Sequence, residues 1–315
     1  MPSAARPWLG RLRAWLLAGA LLSLLAPLGS ALGRLDWRLE LFSHFLPHAC
    51  IALLLAGLVL RPPWLRLGFL AAGLGGLVPI ALTLALPFGP SQRLPALPAP
   101  GTLRAMSFNL NLDNRDMPAV ARQIEQAGPD LLLLIEVTPA QWQALAALRR
   151  TYPHGCGQPR NDPFGMALLS RLPLRDCVVE GELPTIVARL AERPLTLVGL
   201  HPPPPLNTEL AGIHQQQLRH WGTRLANRAE VVLLGDLNLT PWSPWYRDLL
   251  ATTGLQDARA GRGYYATWPA PLGAVGLPLD QALLGADWRA LGLETRPAAG
   301  SDHRALVLDL APRTP

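Results

Sequence analysis

Three apolar stretches crowd the first ninety residues, so the chain has two parts of different kinds. Residues 15–32 are apolar apart from Ser23 and Ser30; residues 42–60 enclose His44, Pro47 and His48; residues 67–88 carry several Gly and Pro79. Each approaches the roughly 20 residues a helix needs to cross a hydrocarbon core. A cleaved signal peptide explains one such segment, not three in succession. The expectation is a bundle of about three transmembrane helices over residues 1–90. His44 and His48 read either as interfacial residues at a helix end or as an intramembrane site.

Orientation follows the arginines. Arg6, Arg11, Arg13, Arg61 and Arg66 fall on one side of these spans, and Arg34, Arg38 and Arg93 on the other. Five against three favours a cytoplasmic N-terminus. Three spans then put everything beyond residue 90 on the far side, so the expected location is a bacterial inner (plasma) membrane with a periplasmic domain. Five Pro between 87 and 100 mark residues 91–101 as a semi-rigid linker. All 28 basic residues are Arg, which fits a genome-wide codon bias, so the net charge of +6 is not taken as evidence for nucleic acid. Cys50, Cys156 and Cys177 form no metal-binding spacing; the latter two could pair in an oxidising compartment or stay as buried thiols.

Beyond the linker the densest signal is residues 231–238, Val-Val-Leu-Leu-Gly-Asp-Leu-Asn. Four apolar residues predict a short buried strand. Asp236 and Asn238 can then point into one crevice and suit a hard divalent cation, although an Asx turn closing an ordinary strand fits equally well. Further strands are expected over 103–108, 130–135, 165–170, 277–284 and 303–310, with a hairpin over 185–190 and 195–200. Helices are expected over 117–127, 138–150, 206–227 and 240–250. Short strands interleaved with helices imply an α/β sandwich without internal repeats.

Strand ends or edges offer polar groups repeatedly. Asn109 follows Met-Ser-Phe, Glu136 follows Leu-Leu-Leu-Leu-Ile, and His201 follows Leu-Val-Gly-Leu. Asp280 sits in Leu-Pro-Leu-Asp-Gln, and Asp302 with His303 in Gly-Ser-Asp-His. In an open sheet such ends converge on one crevice. Singly, Glu136 could start a helix, Asn109 close a turn, His201 fill the core and Ser301-Asp302 cap an element. Together and in this order they are hard to explain that way.

The order Ser-Phe-Asn, Glu, His, Gly-Asp-x-Asn, Leu-Asp, Ser-Asp-His resembles the endonuclease/exonuclease/phosphatase superfamily over about residues 103–310. With apolar spans and a Pro-rich linker ahead of it, the layout resembles the membrane-anchored bacterial YafD-like branch. The resemblance implies a four-layer α/β/β/α sandwich of two mixed β-sheets, with residues 102–315 as catalytic domain. It implies Mg²⁺, with Mn²⁺ able to substitute, held by Glu136, Asn109 and Asp302. Asp236 would orient and deprotonate the attacking water, and Asn238 would hold it or a phosphate oxygen. His303 would donate to a non-bridging oxygen with Asp280 or Asp302 behind it, and His201 would contact the phosphate or act as general acid. One departure touches Asp280: the family usually has His or Tyr next, and here Gln281 follows.

The implied reaction is hydrolysis of a phosphodiester or phosphomonoester, on lipid head groups or other phosphodiesters near the bilayer. A nuclease is the alternative, and a non-catalytic binding protein that kept the fold is the second. Asn111, Trp242 and Trp268 are candidate substrate contacts, since aromatic rings can stack on bases or enter a lipid interface. Besides the bilayer and the phosphate ester, the sequence implies no obligate protein partner.

Overall fold

In a computed structural model, which describes residues 7–60, 62–84, 94 and 101–313, the chain forms two units. The first comprises residues 1–83 with 241–247, and the second residues 84–240 with 248–315.

The first unit is helical: α1 (Pro7–Ser23), α2 (Leu25–Leu32), α3 (Trp37–Ser43), α4 (Leu46–Val59) and α5 (Pro63–Leu84). Gly10–Leu32 and Pro63–Leu84, 23 and 22 residues long, are apolar enough to cross a bilayer. The middle stretch differs from the single helix expected over 42–60. It begins earlier, at Trp37, and bends by 66° between α3 and α4, giving two spans, or three if the bent pair counts as one. Asp36 starts α3 by accepting from the Arg38 N–H, and Pro47 lies in the first turn of α4, where a missing N–H costs no helical bond. The end of the stretch expected over 67–88 and most of the 91–101 linker lie outside the described residues. Leu53, Ala56, Leu60, Phe69 and Ala20 pack together. His44 is buried, its Nε2 3.3 Å from Glu40 Oε2. Residues 241–247 close this unit through polar contacts. Ser243 Oγ donates to Glu40 Oε1 (2.5 Å), Trp242 Nε1 to the His44 carbonyl (3.0 Å) and Trp245 Nε1 to the Gly33 carbonyl (3.2 Å).

The second unit begins with β1 (Leu103–Asn109), α6 (Met117–Ala127), β2 (Leu131–Ile135), α7 (Pro139–Ala144), β3 (His154–Gln158) and β4 (Met166–Ser170). Then come β5 (Leu174–Glu180), β6 (Thr185–Leu190), β7 (Thr196–Gly199), α8 (Thr208–Leu225) and β8 (Val231–Asp236). After α9 (Pro244–Thr253), which starts in the helical unit, follow β9 (Gln256–Asp257), β10 (Asp280–Leu284), β11 (Trp288–Arg296) and β12 (Ala305–Pro312). The strands form two mixed six-stranded sheets, ordered β11-β12-β1-β2-β4-β3 and β5-β6-β7-β8-β10-β9.

The alternation of strand side chains builds the layers. Leu131, Leu133 and Ile135 of β2 meet Ile186, Leu197, Val232 and Leu234 between the sheets. Leu132 and Leu134 face outward onto Val120, Ile124 and Ala127 of α6. On the other side α8 buries Leu218, Trp221 and Leu225. The result is the α/β/β/α sandwich. A Cys156–Cys177 disulfide staples edge strand β3 of one sheet to edge strand β5 of the other. Deep in β1, Arg104 forms a two-pronged pair with Asp309 (2.7 and 2.8 Å).

Candidate active site

Strand register delivers the polar residues. β1 and β2 run parallel with Asn109 opposite Ile135, so Asn109 and the next residue, Glu136, end side by side. β7 and β8 run parallel with Gly199 opposite Leu234, which brings His201 toward Asp236. β10 lies antiparallel to β8 with Asp280 directly opposite Asp236. Before β12 the chain folds back on β1, where Ser301 Oγ donates to the Asn109 carbonyl and accepts from the His303 N–H. Gly235 has φ 150°, and a Cβ there would sit 1.9 Å from the Leu200 carbonyl oxygen. Only glycine lets β8 approach β7 at this point. Asn111, Glu136 and Asn238 all have left-handed φ, from 50° to 60°. Such backbone strain concentrates at functional sites.

Asn109 is the hub. Its Nδ2 donates to Glu136 Oε1 (2.9 Å) and Asp236 Oδ2 (3.2 Å), and its Oδ1 accepts from the Asn111 N–H. Glu136 Oε2 accepts from the Leu112 N–H. Asp236 Oδ1 accepts from the Asn238 N–H, and Asn238 Nδ2 donates to the Pro202 carbonyl, tying the loop after β8 to the one after His201. His201 Nε2 lies 3.9 Å from Asp236 Oδ2, while its buried Nδ1 has no hydrogen-bond partner among the described residues. His303 Nδ1 is 2.9 Å from Asp280 Oδ2, and its Nε2 is 3.5 Å from Asp236 Oδ2. Asp302 Oδ1 accepts from Asn111 Nδ2 and its Oδ2 from Trp268 Nε1.

Burial, the largest single influence, pushes the His303 imidazole down; the Asp280 and Asp236 carboxylates and the Asp280 hydrogen bond outweigh it, raising the pKa from 6.5 to about 10. His303 is therefore an imidazolium at neutral pH. Among the described residues, Asp236, Asp280 and His303 form the one group whose ligand atoms lie within 4.8 Å of one another, close enough to hold a metal. That trio already contains its own cation, because the imidazolium bridges the two carboxylates. Glu136 and Asp302, both half-buried, offer hard oxygen donors outside the trio. The donor chemistry therefore fits a divalent metal.

The structure thus brings Asn109, Asn111, Glu136, His201, Asp236, Asn238, Trp268, Asp280, Asp302 and His303 into one hydrogen-bonded and ion-paired neighbourhood. Asp280 is the partner of the His303 imidazole despite the unusual Gln281, whose amide instead bonds Arg259 and the Leu239 and Pro278 carbonyls. Trp242, expected as a substrate contact, is buried in the helical unit and donates from Nε1 to the His44 carbonyl. Arg160 and Arg224 are paired with Asp162 and Glu180. Three supporting residues carried no sequence signal. Thr267 Oγ1 accepts from the Leu279 and Asp280 N–H groups, Gln141 Nε2 donates to the Asn111 and Asn114 carbonyls, and Phe164 packs 6.1 Å from the His201 ring. Ser301 was visible in the Ser-Asp-His motif, but its bond to the Asn109 carbonyl was not.

The model of the Endonuclease/Exonuclease/phosphatase family matches residues 106–303. Several solved structures share the fold. TDP2 of D. rerio, in humanized form, is 17% identical with a TM-score of 0.54, over 67% of this chain and 99% of that one. A 3′ phosphatase from Neisseria, NExo, solved with a product DNA hairpin, is 18% identical with a TM-score of 0.54, over 65% and 98%. An AP endonuclease from Archaeoglobus fulgidus is 19% identical with a TM-score of 0.53, again over 65% and 98%. No curated protein matches the chain in sequence.

Proposed function

Because the chain belongs to the endonuclease/exonuclease/phosphatase family of phosphoric-ester hydrolases, we propose that it is a membrane-anchored, Mg²⁺-dependent phosphoesterase. In this reading it cleaves a phosphodiester or phosphomonoester by direct attack of water, with lipid head groups at the bilayer as leading substrates. The observation that carries the reading is the Asn109 amide, shared between Glu136 and Asp236. It locks a metal-ligand candidate to the group that would activate water.

Glu136 and Asp302 would hold Mg²⁺ or Mn²⁺. Asn109, expected as a third ligand, turns its amide N–H groups to carboxylates and acts by positioning. When bound, the cation would neutralise charge on a phosphate oxygen and on the departing alkoxide. Asp236 orients the water and takes its proton. Asn238, braced on the Pro202 carbonyl, holds the water or a phosphate oxygen. Protonated His303 donates to a non-bridging oxygen, with Asp280 fixing its ring. His201 contacts the phosphate or protonates the leaving group. No side chain serves as nucleophile.

The apolar helices support membership of the YafD-like branch and an inner-membrane location. The arginine bias and the Cys156–Cys177 bridge support a periplasmic catalytic domain, since disulfides persist in oxidising compartments. A nuclease is the second reading, drawn from the Neisseria 3′ phosphatase bound to product DNA. Incubating the full chain and Mg²⁺ with phospholipid vesicles and with plasmid DNA separates the two. Cleavage of lipid that disappears in Asn238→Ala is the expected result, whereas cleavage of DNA alone favours the nuclease.

A further inference from the structure

Arg259 is a fully buried cation that no step of the chemistry above uses. Taking a guanidinium out of water is costly unless hydrogen bonds and an opposite charge compensate it. Here the Asp257 carboxylate stands 3.6 Å from Nη1, beyond hydrogen-bond length. The direct acceptors are neutral. Nη1 donates to Gln281 Oε1 (2.5 Å) and Nη2 to the Asp280 carbonyl, so the fork grips the first two residues of β10. Strand pairing does not require this cation, because the β9–β10 ladder and the bond from the Ala258 N–H to the Ala282 carbonyl already tie the two strands.

Side chains alternate across a strand. Asp280 shares its face with Ala282 and Leu284, which pack between the sheets, and Gln281 lies on the opposite face. Gln281 is also fully buried and uses both ends of its amide. Oε1 accepts from Arg259, and Nε2 donates to the Leu239 carbonyl (2.6 Å) and the Pro278 carbonyl (2.7 Å). Leu239 follows Asn238, whose left-handed φ of 50° must be held by its surroundings. One buried run of hydrogen bonds therefore passes from the Asp280 backbone through Arg259 and Gln281 to the loop that carries Asn238. At one end Asp280 orients the His303 ring (2.9 Å). At the other, Asn238 braces on the Pro202 carbonyl. We propose that Arg259 and Gln281 are positioning residues that set these two flanks of the active site together. A lysine at 259 would keep the charge but lose the planar fork, so it would not hold both acceptors. This inference rests on the phosphoesterase reading for its catalytic consequence, but not for the coupling itself.

The test uses the full chain with Gln281→Met, Arg259→Lys and the double variant, each at a temperature where circular dichroism shows it folded. With Mg²⁺ and bis(p-nitrophenyl) phosphate, each single variant should lose about a hundredfold in kcat, the scale of a misplaced catalytic group. The double variant should lose no more than the worse single, because the two residues act as one unit. Losses that multiply, or wild-type kcat in either single variant, overturn the proposal. In ¹⁵N spectra the His303 ring and the Asn238 side-chain amide, each assigned by its own substitution, should shift in both single variants. A shift confined to one of the two groups, or to neither, overturns the coupling. If Arg259→Lys does not fold, Gln281→Glu takes its place in both readouts, since it keeps an acceptor for Arg259 but has no N–H for Leu239. Wild-type inactivity instead defeats the phosphoesterase reading, and the spectra still decide whether one network sets both flanks.

Discussion

His303 is the residue on which the electrostatics of the site turn. Two carboxylates, Asp236 and Asp280, stand opposite each other across β8 and β10, and the imidazolium between them makes that arrangement tolerable. Its folded-state pKa of about 10 lies above the ordinary 6.5. The stabilisation is therefore complete below pH 6.5 and is lost as pH rises through about 10. In metal-free protein, the unfolding free energy of wild type minus that of His303→Asn should shrink steadily across this window. A difference that is flat or grows with pH contradicts the trio. The Arg104–Asp309 pair is a separate, buried ion pair. Asp309→Ala should leave a guanidinium uncompensated and cost about 3–5 kcal/mol of stability, read by chemical denaturation. A loss within error would mean the pair is solvated.

At the scale of elements, the strand-to-loop transitions matter most. Gly235→Ala would drive a Cβ into the Leu200 carbonyl and force a left-handed φ on an L-residue. We expect a loss of at least about 1–3 kcal/mol together with a fall in activity, since Asp236 is the next residue; unchanged melting contradicts the close approach of β7 and β8. Removing the inter-sheet staple with Cys156→Ser should cost about 2–4 kcal/mol, and reductant should reproduce that shift in wild type. The same scale explains what could be read beforehand. Central strands such as Leu131–Ile135 and Val231–Asp236 are apolar on both faces and announced themselves. Four strands went unread, β3, β5, β9 and β11, and they are the four sheet edges. Edges carry charge, glycine and bulges that discourage further pairing: β3 reads His-Gly-Cys-Gly-Gln, and β11 has a register shift between Ala290 and Gly292. The site residues were legible because a polar group at the end of an apolar run breaks the pattern. Trp242 was expected beside the site from its place soon after Asn238 in sequence, and the chain enters the helical unit at Pro241.

At the scale of the whole molecule, one chain carries a helical unit with helices long and apolar enough to cross a bilayer and a sandwich that gathers oxygen and imidazole groups at its strand ends. A reporter fused after Pro315 should be active on the periplasmic side, and a cytoplasmic signal would reverse the proposed orientation. The most direct test of the central claim is the divalent-cation dependence of bis(p-nitrophenyl) phosphate hydrolysis by the purified full chain. Wild type should turn over with Mg²⁺ and stop with chelator. Glu136→Gln should require far more Mg²⁺ for the same rate, whereas His303→Ala should lose about 10²–10⁴-fold at every Mg²⁺ concentration. Hydrolysis that persists without a divalent cation, or that survives either substitution, contradicts it.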